Sequence, residues 1–500
     1  MRRLRGLLLC ALFLLGCGGA ARAAEVLRWA SDAQSGAPFV FHDPADQKQL
    51  TGFEVELITE LARRIGRTPQ FVQNDWDGLI PGLGRGLYDV VIDGIEITPE
   101  HARAVDFTEP YYETAEQIAV RRDEPGFDGI ASLRGHTVGS LKDTTSLKLL
   151  EAEGGVRIRS YEDETNAYSD LENGRLDAVM LDAPIALYYA VPDPHLKLSG
   201  GPVGSLVYGI ALPKGHAALR DALDEGLASM KRDGTLARIL QRWNLWTPRM
   251  RELAPAFGPA VAPTAWEHWV EATRPPATLA DRLRRYARFG PLLLRAAAMT
   301  LAVSACAMVL AVGWGLLLAL CRQYGAAPLR WAATGYVEVV RGTPLLIQIL
   351  FLFYGLPGVG IRLDPFLAGV VSLGLNYAAY EAENYRAGLQ AVPRGQMEAA
   401  LSLNLTRGQA LRHVVVPQAF RIVVPVMTND FISLLKDSSL VSVITLGELT
   451  QLYVRLSTTY YDYLGAGLMI GAAYLLLGLP FVRLARVAER RLAAGVARGR

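Results

Sequence analysis

The stretch Tyr88-Asp89-Val90-Val91-Ile92-Asp93-Gly94-Ile95-Glu96-Ile97-Thr98-Pro99-Glu100-His101 decides the fold of the first half of this chain. Its short apolar core, Asp89-Val90-Val91-Ile92, reads as a buried strand, and Asp177-Ala178-Val179-Met180-Leu181 shows the same pattern further on. Amphipathic stretches from Phe53 to Ile65 and from Leu219 to Trp243 read as helices. The alternation runs from Val26 to about Trp246 and predicts an α/β sheet protein.

Beyond that region the chemistry changes. From Thr247 to Pro291 the chain is rich in Pro, Ala and Arg with scattered aromatics, which reads as a linker. A flexible linker of this length spans on the order of 35–40 Å; Trp266, Trp269 and the run Arg282 to Arg288 would alternatively lie on a membrane surface. Ala296 to Leu320 carries no charge, and at ~1.5 Å per residue it reaches ~37 Å, enough to cross a bilayer with tilt. Leu464 to Val482 is a second clear span. Leu345 to Leu356, Phe366 to Tyr380 and Ala419 to Leu435 are apolar but broken by Gly, Pro and polar groups, so hydropathy alone leaves the count open.

The 500 residues suffice for two or three domains, and a net charge of +2 leaves no nucleic-acid footprint. Arg2, Arg3 and Arg5 precede the short apolar run Leu7 to Leu15, a signal-peptide pattern over residues 1–24. Its exit is either ordinary cleavage after Ala21-Arg22-Ala23 or lipidation of Cys17 in Leu14-Leu15-Gly16-Cys17. Of the four cysteines, Cys10 and Cys17 lie in this segment and Cys306 and Cys321 in a membrane helix. The exported part therefore has no disulfide and no cysteine metal site. No Gly-Lys pair occurs, which excludes a Walker A phosphate loop.

Residues Leu27 to Trp246 resemble the family 3, amino-acid type of periplasmic solute-binding proteins. The resemblance rests on Thr51-Gly52-Phe53-Glu54-Val55-Glu56-Leu57, Asp75-Trp76-Asp77-Gly78-Leu79-Ile80-Pro81, the opening stretch, Val105-Asp106-Phe107-Thr108-Glu109-Pro110-Tyr111-Tyr112, Asn173-Gly174-Arg175-Leu176-Asp177 and Asp233-Gly234-Thr235, in that order and spacing. It implies a two-lobed α/β binding-protein fold over residues 25–246. Lobe 1 would span about 25–118 and 210–246, and lobe 2 about 119–209. The crossings would fall near Gln117 to Arg121 and Leu206 to Leu212, with ligand closing the cleft as a hinge.

Carried over residue by residue, the family's ligand contacts fall on Asp32, Trp76, Gly94, Glu96, His101, Thr144, Thr145 and Asp182. Asp182 would take an α-ammonium, Trp76 would wall the ligand and Gly94 would offer its carbonyl. The amides of Thr144 and Thr145, at a helix start, would suit a carboxylate. A helix cap at Asp182 and plain core packing at Trp76 are the bland alternatives. Two departures stand out: the family's carboxylate-clamping Arg is His101, and its small hydroxyl residue is Glu96. Asp32, Glu96 and Asp182 make the cleft acidic, so the expected ligand is richer in cationic groups than a neutral amino acid, unless Arg103 swings in as the missing clamp.

Thr300 to Val443 resembles the polar amino-acid permease subunits of ATP-driven (ABC) importers. The carriers are Val337-Glu338-Val339-Val340-Arg341-Gly342-Thr343-Pro344, Ala378-Ala379-Tyr380-Glu381-Ala382-Glu383-Asn384-Tyr385-Arg386 and Leu435-Lys436-Asp437-Ser438-Ser439. The most specific is Pro393-Arg394-Gly395-Gln396-Met397-Glu398-Ala399-Ala400, running on to Pro417, which resembles the cytoplasmic EAA loop of about 393–417. The resemblance implies an all-α transmembrane permease domain of about five helices over residues 292–491. It also implies contact of Glu398, Ala399, Ala400 and Asn404 with a separate ATP-binding subunit, and Asn404 replaces a family Gly at a reversal that needs positive φ.

The expected function is ATP-driven import of an amino acid or related small amine, half of the pathway coming from a second permease copy. This chain would bind no cofactor or metal and would not be an enzyme; ATP and Mg would be used by the partner. The setting would be the bacterial inner membrane with the receptor outside, which Arg322, Arg330, Arg483, Arg486, Arg490 and Arg491 support by the positive-inside rule and Arg282 to Arg288 do not. A ligand-binding sensor or receptor-gated channel is the alternative, and an acidic cleft doing general-acid work is a weaker one.

Overall fold

The structure is a computed structural model and describes residues 25–497, apart from 35, 256–258, 275, 277 and 461. The expected signal segment lies outside the described residues. Among the described residues, the first half forms two five-stranded sheets. The first has the order β4 (Arg67–Gln73), β1 (Glu25–Ser31), β5 (Val90–Val91), β12 (Ala211–Leu212) and β6 (Asp106–Phe107). The second has the order β11 (Leu196–Tyr208), β7 (Tyr112–Arg121), β10 (Ala178–Asp182), β8 (Thr137–Leu141) and β9 (Arg157–Tyr161). A short hairpin joins β2 (Phe41–His42) and β3 (Leu50–Thr51). In β5 Val90 and Val91 are fully buried, as a strand covered on both faces requires.

Helices α1 (Phe53–Arg64), α2 (Trp76–Gly84), α3 (Thr145–Glu153), α4 (Glu164–Glu172), α5 (Ala183–Tyr189), α6 (Ala217–Arg232) and α7 (Thr235–Arg242) cover the sheets. Helix α1 shows why: Phe53, Leu57, Ile58 and Leu61 lie on one face and are fully buried, while Glu60 and Arg63 pair outside at 2.7 Å. Strand β7 pairs with β11 from Tyr112↔Tyr208 onward, so the two strands expected to carry the crossings run side by side. Tyr112 and Tyr208 are buried there with ring centroids 5.6 Å apart, and that packing extends the ladder toward the hinge.

The expected linker is also ordered differently. It contains a turn at Met250–Leu253 and helices α8 (Thr264–Thr273) and α9 (Leu279–Arg288). Trp269 is 5% exposed and packs 5.1 Å from the Tyr188 ring and 5.7 Å from that of Tyr189. Burying one large aromatic against the core of the two-sheet half outweighs the freedom of a short segment, so α8 is held to that half. The Arg-rich α9 is anchored as well: Arg285 donates to the Arg274 carbonyl at 2.7 Å and lies 4.9 Å over the Tyr460 ring.

The second half is helical: α10 (Gly290–Tyr324), α11 (Ala327–Gly342), α12 (Leu345–Leu350), α13 (Pro365–Ala391), α14 (Arg394–Ser402), α15 (Arg407–Ala410), α16 (Val416–Asp437), α17 (Leu449–Tyr460) and α18 (Tyr463–Ala497). Three continuous helical stretches, Gly290–Tyr324, Arg407–Ile444 and Tyr463–Val487, are long and apolar enough to cross a membrane. The pair Ala327–Gly342 and Leu345–Val359, bent by 110°, raises the number to four among the described residues. Helix α13, with 27 residues, is long enough at ~40 Å, but Asn376, Glu381, Glu383 and Arg386 lower its apolar character. It lies along α10, where small residues such as Gly315 and Gly374 allow close approach.

The two-sheet half sits on one end of this bundle. Tyr354 donates to Asn74 at 3.2 Å, Arg362 to the Gly86 carbonyl at 3.1 Å and Arg455 to Gln47 at 2.9 Å. Tyr463 donates to Thr165 at 2.8 Å, so both lobes touch the membrane domain. Helix α13 runs from that end to the segment Arg394–Ala410, which therefore lies at the opposite end.

Candidate functional site

The cleft between the two sheets is built from strand ends and helix starts. Strand β5 delivers Asp93 and Gly94, β10 delivers Asp182, β8 leads into Thr144, and α2 presents Trp76. These side chains, with Phe39, Glu96, Leu141, Lys142, Glu162, Glu164 and Ile185, line an inner cavity of about 50 Å3. A wider vestibule of about 560 Å3 lies outside it, lined by Asp32, Asp75, Trp76, Asp77 and Asp163 of the receptor and by Leu346, Leu350, Tyr354, Val443, Val454 and Thr458 of the membrane domain. The receptor's mouth thus opens onto the bundle.

The residues singled out in the sequence divide into three groups. Trp76, Gly94, Glu96, Thr144 and Asp182 line the inner cavity. Gly94 sits at φ +60 with a Phe39 ring carbon 2.9 Å from where a Cβ would stand, and its N–H is held by Glu54 at 2.8 Å. Asp32 lines only the vestibule; its oxygens accept from the N–H of Gln34 at 3.0 Å, the Gln73 amide at 2.9 Å and the N–H of Trp76 at 3.1 Å, which makes it a brace for the Trp76 loop. His101 does not line the cavity: its Nδ1 lies 2.9 Å from the Glu96 carbonyl, and its N–H donates to Thr98 at 3.1 Å. Arg103 is exposed on the turn His101–Ala104 and does not replace the missing clamp.

The expected carboxylate seat is filled from within. The Thr145 N–H donates to both Glu96 oxygens, at 3.1 and 3.2 Å, and its hydroxyl donates to the same carboxylate. Asp182 accepts from the Tyr208 hydroxyl and makes no helix-cap bond to α5. Across the ladder from it, in register, stands Glu116, which sequence reading missed. Its signal was a carboxylate inside the otherwise buried strand Tyr112–Arg121. Glu116 is fully buried, and neither side-chain oxygen has a hydrogen-bond partner of good geometry, although Asp182 and the Ser146 amide are its polar neighbours. Carboxylate oxygens of Glu96, Glu116 and Asp182 lie within 4.8 Å of one another, a spacing that also suits a metal ion.

Burial controls the protonation of this cluster. Desolvation, then the charge of Glu96, pushes Asp182 up to about 7. Desolvation raises Glu96 against the bonds from Thr145, and burial next to Asp182 raises Glu116 well above the carboxylate range. Glu164, 2% exposed in the cavity wall, is raised by burial and by Asp163. The basic residue lining the cavity, Lys142, is paired at the rim with Asp77 at 3.2 Å.

At the other end of the molecule, Glu398 and Ala399 are exposed on α14, and Ala400 is buried against the bundle. Asn404 takes φ 68, the left-handed conformation that its place at the reversal required. Thr406 and Gln409 then start α15 with a reciprocal capping box.

A two-lobed receptor opening onto a membrane bundle defines the class: a solute receptor joined to a transport pathway. Residues 27–245 match the bacterial extracellular solute-binding proteins, family 3, and residues 311–494 match the binding-protein-dependent transport system inner membrane component. The arginine transport system permease protein of Bacillus subtilis is 36% identical over 203 residues, 40% of this chain and 93% of that protein. The glutamine transport system permease protein of Escherichia coli K12 is 34% identical over 204 residues, 40% of this chain and 93% of that protein. The ABC transporter arginine-binding protein 1 of the same strain is 32% identical over 209 residues, 41% of this chain and 85% of that protein. The chain belongs to the amino-acid permeases of ABC importers, with a family 3 solute-binding domain fused ahead of the inner-membrane domain.

Proposed function

We propose that the receptor lobes capture a cationic amino acid or small amine and release it directly into the bundle they are docked on. The observation that carries this reading is the shared vestibule, where Asp32 and Trp76 of the cleft and Leu346, Tyr354 and Thr458 of the membrane domain line one space. Two similar proteins are named for arginine, which agrees with the acidic cleft. Fusion keeps the receptor at an effective concentration on the order of mM and removes the need for encounter by diffusion. Asp182 and Glu96 would meet the ligand's positive charge, Trp76 would wall it, and Gly94 and Thr144 would shape the remaining surface.

The energy comes from a separate ATP-binding subunit, which uses ATP and Mg and docks on Glu398, Ala399 and the turn at Asn404, while Ala400, buried beneath them, fixes their helix to the bundle. Support comes from the exposure of Glu398 and Ala399 at the end of the bundle away from the receptor. The chain itself is a transporter subunit rather than an enzyme, and two copies pair to enclose the pathway. The test is uptake of labelled arginine and of its decarboxylated counterpart agmatine by cells expressing the full chain with its ATPase. Glu398→Arg should abolish ATP-dependent uptake while leaving ligand binding to the purified chain intact. Unchanged uptake would refute the proposed ATPase contact.

A further inference from the structure

An α-amino acid brings two charges to a cleft, and each needs a partner there. The cation side is well supplied: Asp93, Glu96, Glu162, Glu164 and Asp182 line the inner cavity, and Glu116 stands beside Asp182 on the neighbouring strand, its carboxylate within 4.8 Å of those of Asp182 and Glu96. The anion side is already occupied. At the start of α3, the Thr145 amide and hydroxyl both bind the carboxylate of Glu96. The His101 ring is engaged with the Glu96 backbone, Arg103 is exposed outside, and Lys142 is paired with Asp77. A ligand carboxylate entering this space would displace Glu96 from its donors and confront the other acids.

We propose that the cleft takes a small organic cation without a carboxylate, such as the amine or guanidine that remains when a basic amino acid loses its carboxyl group. Glu96 supplies from the protein the carboxylate that an amino acid would otherwise bring. This rests on the receptor reading of the cleft and narrows its substrate class. The second, independent observation is Glu116, fully buried, with neither oxygen in a hydrogen bond of good geometry. An ammonium has three donors and a guanidinium five, enough to satisfy Glu116 and Asp182 together. A divalent ion of the hard, oxygen-seeking kind prefers about six to eight oxygen ligands, whereas the aromatic residues Phe39 and Trp76 line the wall, a surface that suits an organic cation better than a bare metal ion.

The experiment is calorimetry on the purified full chain with two matched pairs, arginine against agmatine and lysine against cadaverine, and with Ca2+ and Mg2+ alone. The expected result is binding of the decarboxylated member at least about tenfold tighter in one pair. Glu96→Thr should free the Thr145 donors and shift preference toward the carboxylate-bearing member. Glu116→Gln, a separate variant, should weaken agmatine or cadaverine by about tenfold or more without improving arginine or lysine. Equal or tighter binding of the amino acid in both pairs would overturn the inference and leave the importer reading standing. Binding of the divalent ions with none of the four amines would overturn it in favour of a metal site, and no binding at all would overturn both it and the receptor reading.

Discussion

Glu54→Gln isolates one proton in the receptor core. Glu54 is fully buried on α1, accepts the Gly94 N–H at 2.8 Å and the Tyr111 hydroxyl, and leaves Oε2 without a partner. Burial pushes it from the ordinary 4.5 up to about 8, against the opposing effect of its two hydrogen bonds. The folded state therefore holds a proton that the unfolded chain has lost between those values. Its contribution to stability is fully present below pH 4.5 and declines as pH rises, until it is gone above about 8. At about 1.4 kcal/mol per pH unit, the loss over the window is about 5 kcal/mol.

Glutamine keeps the accepting oxygen and cannot ionise, but it buries an extra amide N–H pair at a cost of about 1–3 kcal/mol. The variant should therefore be less stable than the parent near about pH 5 and more stable near about pH 8, with the curves crossing between. About 3.5 kcal/mol of that loss falls between about pH 5 and 8, and for a receptor of this size each kcal/mol moves Tm by about 2–4 °C, so the Tm difference should swing by roughly 7–14 °C. The assay is thermal unfolding of the purified full chain and the variant, followed by tryptophan fluorescence across that range. Parallel curves would show that Glu54 is already ionised in the folded receptor and would refute the burial argument.

Three further outcomes follow from the same structure. Asn404→Val places a β-branched residue at φ 68 and should destabilise the loop by about 1–2 kcal/mol, while Asn404→Gly should be neutral, as read from protease resistance of the Arg394–Ala410 segment. Trp269→Ala removes the aromatic that holds α8 to Tyr188 and Tyr189; it should cost about 3–5 kcal/mol in receptor unfolding and open residues 254–290 to limited proteolysis. Binding of a cationic ligand should tighten by up to about tenfold per pH unit as pH approaches 7, because Asp182 must lose its proton to pair with the ligand. Glu96, Glu116, Tyr168 and Tyr208 face that group, and calorimetry between about pH 5 and 8 would detect a flat profile, which would count against it.

Much of the architecture was written in local patterns. The run around Asp89-Val90-Val91-Ile92 became a buried strand because continuous apolar residues suit a sheet covered on both faces. The uncharged run from Ala296 became a single 35-residue helix because an apolar segment of that length has one stable form in a bilayer. Asn404 was legible as a left-handed residue because few side chains tolerate that backbone. The acidic character of the cleft was visible too, because the family resemblance placed Glu96 and Asp182 there and their charge belongs to the residue.

Where charges end up depends on long-range packing, and this the chain could not state locally. Asp32 proved to be a brace for the Trp76 loop, and His101 was drawn away to a backbone carbonyl, because their nearest partners are fixed by the folded loops. Glu116 became part of the site only through its register with Asp182, 66 positions away in sequence. Residues 247–291 read as linker by composition, yet Trp269 found a receptor aromatic cluster no local pattern announces. The seating of Glu96 on Thr145 joins residues 49 apart. Hydropathy alone determined that this chain has a membrane half, and the family resemblance placed Glu96 and Asp182 in one cleft; only the tertiary structure decided that one of those acids occupies the helix start at Thr145, because a hydrogen bond needs its atoms within about 3 Å and sequence distance says nothing about that.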